Sequence, residues 1–145
     1  MSSNLKVCSI EDGLLGKLKK FRFRKDTTNA AIVMKIDKDS MLVIEDPDTT
    51  DIEGLLPEEL AEQLPAHQPR YVAYSYCYKH DDGRTSYPLC LIFISPQGCN
   101  PEMQMMYAGS KTTLVNEGGF TKVFELRTTE EMTEEWLRSK LGFFR

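Results

Sequence analysis

The chain has 145 residues, and its apolar positions follow two different periods that mark its predicted elements. Apolar residues three and four apart predict a first helix over roughly residues 10–21. The N-terminal end of this segment carries Ser9 and Asp12, a pair that resembles a capping box. The inner face of the predicted helix consists of Ile10, Leu14, Leu18 and Phe21.

Strand patterns follow. Residues 29–36 and 41–45 predict a hairpin, joined by an Asp- and Ser-containing turn. Between residues 70 and 79, bulky and small side chains alternate, and a strand face with small residues lets a helix approach closely. Residues 89–94 are continuously apolar, which predicts a central strand buried on both faces. The Asp-Gly pair in residues 81–84 predicts the tight turn between these two strands.

A long helix is predicted after Asn100, a favourable N-cap, with Pro101 at the first helical position. The residues of its predicted inward stripe are Met103, Met106, Tyr107, Ser110 and Leu114. The opposite face carries Glu102, Met105, Gly109 and Thr112, with Lys111 at its edge. Periodicity leaves two roles open for Met105: an exposed partner contact, or a side chain packed beneath a loop.

Two shorter helices complete the pattern. One is marked by Pro57, Leu60 and Leu64, and the other is predicted to begin at a capping box formed by Thr128 and Glu131. The apolar stripe of this last helix is Met132, Trp136, Leu137 and Leu141, and a short strand is predicted over residues 121–126. The pattern predicts one α/β domain over residues 1–145, with a central mixed sheet and helices on both faces.

Composition limits the function. A net charge of −4 disfavours nucleic-acid binding, for which a basic domain is expected. No apolar run approaches the roughly 20 residues of a membrane span, and residues 1–6 show no secretory signal. The four cysteines, Cys8, Cys77, Cys90 and Cys99, form no Cys-x-x-Cys pair, and with His67 and His80 they give no zinc spacing. We therefore expect reduced thiols, no metal and no cofactor.

Catalysis is not indicated, because no nucleophile, base and acid occur in a recognisable motif. His80 precedes two aspartates, and a solvated turn is favoured over a catalytic pair. The other notable cluster is a run of six cations over residues 17–25, interleaved with Phe21 and Phe23. A solvated helix face with both phenylalanines turned to the core is favoured over lipid or RNA binding, while a protein partner stays open. The candidate contacts in this run are Lys19, Lys20, Arg22 and Arg24.

Several ordered segments carry a family resemblance, and the most informative is Met105-Met106-Tyr107-Ala108 within the long helix. The segments are residues 20–25, 29–31, 67–71, 80–84, 86–90, 104–108 and 143–145. Together with the order of elements, they resemble the glia maturation factor branch of the actin-depolymerising-factor homology superfamily. The resemblance implies that superfamily's fold.

The resemblance also implies a non-enzymatic regulator that binds the actin-related protein 2/3 complex, inhibits its nucleation of branches and promotes debranching. Cofilin-like members carry actin-contacting lysines before the Met-x-Tyr-Ala motif. This chain has Glu102 and Gln104 there, which predicts weak or no actin binding. By the same resemblance we expect a monomer in the cytoplasm, at the actin-rich cortex and lamellipodia, with the nucleus as a second compartment. The alternatives are cofilin-like actin monomer or filament binding with severing, and an intracellular or secreted signalling factor.

Two binding surfaces follow from the resemblance. We call the first the principal surface, and its residues are Ser2, Ser3, Glu102, Met105, Gly109, Lys111 and Thr112. We call the second the hairpin surface, and its residues are Asp81, Asp82, Arg84, Glu134 and Arg138. Ser2 is in addition a candidate phosphorylation site, since a phosphate within the principal surface would add about −1.5 to −2 charges there.

Overall fold

The computed structural model of the chain describes residues 8–23, 28–49 and 52–142. Its strands are β1 (Ser9–Ile10), β2 (Ala30–Asp37), β3 (Leu42–Glu45), β4 (Ile52–Glu53), β5 (Arg70–Ser75), β6 (Tyr78–Lys79), β7 (Thr85–Ser86), β8 (Leu89–Ile94) and β9 (Lys122–Leu126). Its α-helices are α1 (Asp12–Arg22), α2 (Pro57–Ala61), α3 (Pro101–Gly118) and α4 (Glu134–Leu141), and a 3-10 turn covers Thr129–Glu131.

Within the described residues, seven strands form one mixed sheet in the order β1-β3-β2-β5-β8-β9, and β4 pairs with β2. The four central strands, β3, β2, β5 and β8, run antiparallel to one another, whereas β1 and β9 pair in parallel with β3 and β8 at the two edges. Strands β6 and β7 form a separate two-stranded ribbon. The predicted mixed sheet is confirmed.

Helices cover both faces of the sheet. On one face, α1 and α3 pack on a buried cluster that includes Tyr71, Ala73 and Phe93. On the other face, α2 and α4 pack on a cluster that includes Val72 and Tyr74. Successive residues of β5 thus serve opposite cores, as the alternation of side chains predicts. The continuously apolar β8 lies between β5 and β9 and is buried on both faces, which confirms its predicted central place.

A buried ion pair lies where β5 begins. The Nε atom of Arg70 donates to Oδ2 of Asp46 at 2.9 Å, and both side chains are almost fully buried. Burial acts to raise the pKa of Asp46. Hydrogen bonds from Asp48 N–H and from Arg70 outweigh it and lower the pKa below the ordinary value. The pair therefore stays ionised inside the fold.

The predicted start of the first helix is wrong. Ser9 and Ile10 form β1, which pairs with Leu42 and Val43, and α1 begins only at Asp12. The residue before it, Glu11, makes no side-chain capping bond. A capping box needs helical backbone directly after its first residue, and here the sheet holds that backbone extended.

The predicted start of the last helix is also wrong. Thr128 accepts from Glu130 N–H, but it caps only the 3-10 turn. The N-cap of α4 is Thr133, whose hydroxyl accepts from Trp136 N–H at 3.1 Å. Met132, predicted as part of the helical stripe, is buried in the connection between the turn and the helix. Thr128 is thus a capping residue, as predicted, but it caps the 3-10 turn and not helix α4.

The predicted long helix is confirmed, with Asn100 as its N-cap. The side chain of Asn100 accepts from the N–H of Glu102 at 2.8 Å. The helix ends at Gly119, which adopts the left-handed conformation with φ 73°. The guanidinium of Arg22 lies so close to Gly119 that a Cβ at this position would overlap it. The backbone conformation thus favours glycine here, and any other residue would in addition displace the flexible end of Arg22.

Candidate partner-binding surfaces

Helix α3 is held against the sheet by polar as well as apolar contacts. The hydroxyl of Tyr107 accepts from the N–H of Ile36 at 2.9 Å, and the hydroxyl of Tyr71 donates to the carbonyl of Tyr107. Nearer the end of the helix, Ser110 Oγ accepts from the N–H of Cys8 at 2.9 Å. These contacts fix the rotation of α3 about its axis and therefore decide which side chains face outward.

Met105 points away from the core and is 61% exposed. Of the two roles left open by the sequence, packing beneath a loop is thus wrong, and a position on the outer face is confirmed. Exposed methionines are adaptable apolar contacts, because the unbranched thioether chain adjusts to a partner's shape. Within the described residues, only Phe23 is a more exposed large apolar side chain.

The remaining principal-surface residues on α3 differ in accessibility. Glu102 and Thr112 are exposed, and Gly109 is half-buried. Lys111 is drawn toward the sheet edge, where its Nζ lies 3.5 Å from a carboxylate oxygen of Glu125 and 6.0 Å from the ring centre of Phe93. Lys111 therefore borders this face, as the sequence predicts, but its charge already has an intramolecular partner.

Gln104 does not share the outer face. Its amide nitrogen donates to the carbonyl of Pro96 at 3.1 Å, and the side chain is half-buried against that loop. Of the two positions compared with cofilin-like lysines, only Glu102 presents an exposed side chain. Ser2 and Ser3 lie outside the described residues.

At the hairpin surface, the turn between β6 and β7 is closed by its own side chains. Asp82 accepts from the N–H of Arg84 at 3.1 Å and from its Nε at 2.7 Å. The backbone hydrogen bond is the first cause, and the side-chain bond the second, that lowers the pKa of Asp82 below its ordinary value. Gly83, with φ 92°, supplies the left-handed residue of the turn. Asp81 is exposed.

Helix α4 is joined to the ribbon through two tyrosines. The hydroxyl of Tyr76 donates to Glu134 Oε2 at 2.6 Å, and Arg138 Nη1 donates to the same hydroxyl at 3.4 Å. The guanidinium of Arg138 also lies 4.6 Å from the ring centre of Tyr78 and donates to the carbonyl of Lys79. Burial first, and the bond to Glu134 second, raise the pKa of Tyr76 to about 12.

The structure thus brings the five hairpin-surface residues to neighbouring elements. Sequence reasoning missed the residues that connect them, Tyr76, Tyr78 and Lys79. The sequence predicts Tyr76 and Tyr78 only as bulky side chains of the strand over residues 70–79, because the strand pattern does not reveal which hydroxyl meets which helix.

His80 differs from its prediction as a solvated turn residue. Its ring is half-buried, lies 4.5 Å from the ring centre of Tyr78, and shares a 2.8 Å hydrogen bond with Ser86 Oγ. The bond joins the residue that follows β6 to Ser86 in β7. The imidazole therefore stabilises the hairpin fold.

The basic residues of α1 differ in their surroundings. Lys17 pairs with Glu45 at 2.7 Å, whereas Lys19, Lys20 and Arg22 are exposed. Phe21 packs partly on the core, as predicted. Phe23 contradicts the prediction: it is 70% exposed, with Arg22 5.1 Å from its ring centre. Phe23 immediately follows the last residue of α1, so the inward stripe no longer sets its direction. Arg24 lies outside the described residues.

Metal-binding groups, membrane-spanning helices and disulfides are all absent from the described residues. No group of three histidine, cysteine, aspartate or glutamate side chains there is arranged to hold a metal ion. None of the described helices is long and apolar enough to cross a membrane. The four cysteines are free thiols.

Comparison with known proteins agrees with this geometry. The family model for the cofilin/tropomyosin-type actin-binding protein matches residues 7–142. Human glia maturation factor beta is 62% identical over 144 residues, which cover 99% of each chain. The glia maturation factor of Drosophila melanogaster is 47% identical over 141 residues, covering 97% of this chain and 99% of that one.

The solution structure of glia maturation factor from Caenorhabditis elegans superposes with a TM-score of 0.80 at 44% identity, covering 97% of this chain and 99% of that one. The chain therefore belongs to the cofilin/tropomyosin-type actin-binding family, and within that family to the glia maturation factors. The resemblance found in the sequence is confirmed, as is the actin-depolymerising-factor homology fold.

Proposed function

We propose that the protein is a non-enzymatic regulator of actin branching that binds the actin-related protein 2/3 complex, inhibits its nucleation and promotes debranching. Its membership of the glia maturation factors supports an actin-regulatory role. The observation that carries the proposal is the exposed Met105 on a helix whose inner face is fixed to the sheet. Such a helix presents its contact side chain already in place, which lowers the cost of binding.

The principal surface acts in this proposal as a wedge. It occupies the groove at the barbed end of an actin-related subunit and competes there with the actin of a daughter filament. Met105 supplies the apolar contact, and Lys111 supplies a cation once it leaves Glu125. The acidic side chain of Glu102 favours a partner other than actin, because an anion opposes docking on an acidic surface.

The hairpin surface contacts the filament side of the branch and assists debranching. The charged groups of Asp82, Arg84, Glu134 and Arg138 already have partners within the chain, so a filament must offer replacement partners for them. The exposed Lys19, Lys20 and Arg22, together with Arg24, add a basic contact to an acidic protein surface, next to the exposed ring of Phe23. The protein acts as a monomer in the cytoplasm at the cell cortex and lamellipodia, and also in the nucleus.

Phosphorylation of Ser2 weakens binding in this proposal, because it adds negative charge at the contact with the partner. The Ser2→Asp variant should therefore bind the branching complex more weakly than Ser2→Ala, as measured by titration of the labelled complex. Equal affinities of the two variants would remove this regulatory role.

Imaging of preassembled branched actin networks tests the function. We expect faster loss of branches in the presence of the purified protein and no severing of unbranched filaments. Severing of both kinds of filament would instead favour a cofilin-like activity. No effect on either would contradict the proposal.

A further inference from the structure

A groove between α2 and the 3-10 turn lies on the opposite side of the sheet from α3, and it borders the hairpin surface at Glu134. It is a shallow depression, open to solvent, with a volume of about 280 Å³. The described residues that line it are Glu58, Ala61, Glu62, Thr129, Glu130 and Met132. None of these six carries a positive charge, and three are glutamates.

The groove combines an apolar floor with a carboxylate rim. The half-buried Ala61 is the accessible apolar residue of the floor, Met132 is fully buried behind the lining, and Glu58, Glu62 and Glu130 are exposed. Glu58 accepts from Glu134 N–H at 3.1 Å. Glu62 and Glu130 form no ion pair with any residue in the described part of the chain. Their charges are thus available to a partner.

The walls of the groove are held in place before any partner arrives. Met132 packs in the same core cluster as Leu60 and Leu137, which belong to the two helices beside the groove. The bond from Glu58 to the first residue of α4 ties those helices together. A concave, rigid site of this kind loses little conformational freedom on binding.

We propose that this groove binds a basic segment of a partner protein that inserts an arginine side chain. The aliphatic stem of arginine would lie on Ala61, as such stems do on apolar surfaces. Its guanidinium would meet the rim carboxylates, for which its planar fork of donors is suited. The negative rim repels nucleic acids and anionic membranes, so charge complementarity selects a basic polypeptide.

A fluorescent ten-residue peptide of alternating arginine and alanine is a suitable probe, titrated with the full chain in fluorescence anisotropy and in ¹⁵N NMR. We expect saturable binding, with amide shifts concentrated at Ala61, Glu62 and residues 129–132. The double variant Glu62→Gln/Glu130→Gln should weaken binding at least fivefold. Both positions are exposed, so the fold should be retained, and its thermal unfolding checks this.

The matched control is Glu117→Gln/Asp39→Asn, which removes the same two charges from exposed positions elsewhere. It should change affinity less than twofold. A second peptide, with diaminopropionic acid in place of arginine, keeps the positive charge but lacks the stem, and it should bind at least fivefold more weakly. Equal losses in both protein variants, equal affinity for both peptides, or shifts spread over other acidic regions would each overturn the proposal.

Discussion

The outer face of α3 and the hairpin surface both carry polar side chains, but they differ in where those side chains find partners. On α3, Tyr107 and Ser110 direct their hydroxyls inward to the sheet, and Met105 is left facing solvent. At the hairpin surface, Asp82 pairs with Arg84, and Glu134 shares Tyr76 with Arg138. Met105 can be covered by a partner as it stands, whereas the paired charges of the hairpin surface, like Lys111, must exchange internal contacts for external ones.

This difference has an energetic consequence. Exposed apolar surface gains directly from being covered, since no existing contact is lost. A charge that already has a partner gains only the difference between two pairings, which is small at a solvated surface. Binding energy should therefore concentrate at the principal surface, and the hairpin surface should adjust orientation and selectivity.

The largest expected effect follows from removing the outward contact. We expect Met105→Ala with Lys111→Ala to weaken binding to the branching complex by roughly 30-fold to 1,000-fold, or about 2–4 kcal/mol. Titration of the labelled complex measures this, and unchanged thermal unfolding shows that the fold is intact. The paired change Glu134→Gln with Arg138→Gln, on the hairpin surface, should lower the affinity for the branching complex by a smaller factor. The reverse ranking would break the comparison.

The inward contacts of α3 are tested by Ser110→Ala. This change leaves the buried N–H of Cys8 without its acceptor, which should lower the free energy of unfolding by about 1–3 kcal/mol. Urea denaturation measures the loss. Thr112→Ala, on the exposed face two residues along the helix, is the control and should stay within about 0.5 kcal/mol of the parent. Similar values for the two variants would contradict the inward anchoring.

The internal pairing of the hairpin surface is tested by Tyr76→Phe. The hydroxyl of Tyr76 bonds to Glu134 and Arg138, which are both half-buried and still reach water. We expect the free energy of unfolding to fall by about 0.5–1.5 kcal/mol. Since the change releases Glu134 and removes one of the contacts of Arg138, it should also strengthen contacts made by this surface, seen as faster debranching. Slower debranching would show that the bonds to Tyr76 hold Glu134 and Arg138 in the position needed for binding, rather than competing with the partner.

The smallest effect concerns Asp82. Its pKa is lowered in the folded chain, so it stabilises the fold above the unfolded pKa of about 3.9, and this contribution disappears as the pH falls through the folded value. Carboxyl ¹³C NMR titration should place Asp82 below the ordinary aspartate range. Arg84→Ala should return the pKa only partly, because the backbone N–H at position 84 remains. Titration of the parent at the ordinary value would refute the pairing.

Much of the fold could be predicted because the chain's periodicities reflect burial directly. The alternation along β5 and the continuous apolar run of β8 are consequences of having one or two buried faces. The cap at Asn100 was predictable because Asn followed by Pro is a strong local helix start. Helix starts at Ser9 and Thr128 failed for a different reason. Ser9 pairs with β3, and Thr128 caps a 3-10 turn instead of an α-helix. Neither the strand pairing nor the type of turn can be recognised from the neighbouring residues in the sequence.

The candidate surfaces divide in the same way. The outward direction of Met105 follows from helical spacing, so it could be predicted. Three contacts could not be predicted, because each joins residues well separated in the sequence or involves a loop. They are the ion pair of Lys111 with Glu125, the hydrogen bond of Gln104 to Pro96, and the hydrogen bond of Tyr76 to Glu134. The exposure of Phe23 escaped prediction because the helix ends just before it.

The three polar ties that hold α3 against the sheet also bear on how fast a partner comes and goes. A helix that needs no ordering before contact should bind on each correctly oriented encounter, so its association rate should depend little on which outward side chain is present. Differences in affinity among variants of this face would then lie almost entirely in dissociation. The residence time on a branch, rather than the frequency of arrival, becomes the quantity that side chains such as Met105 set.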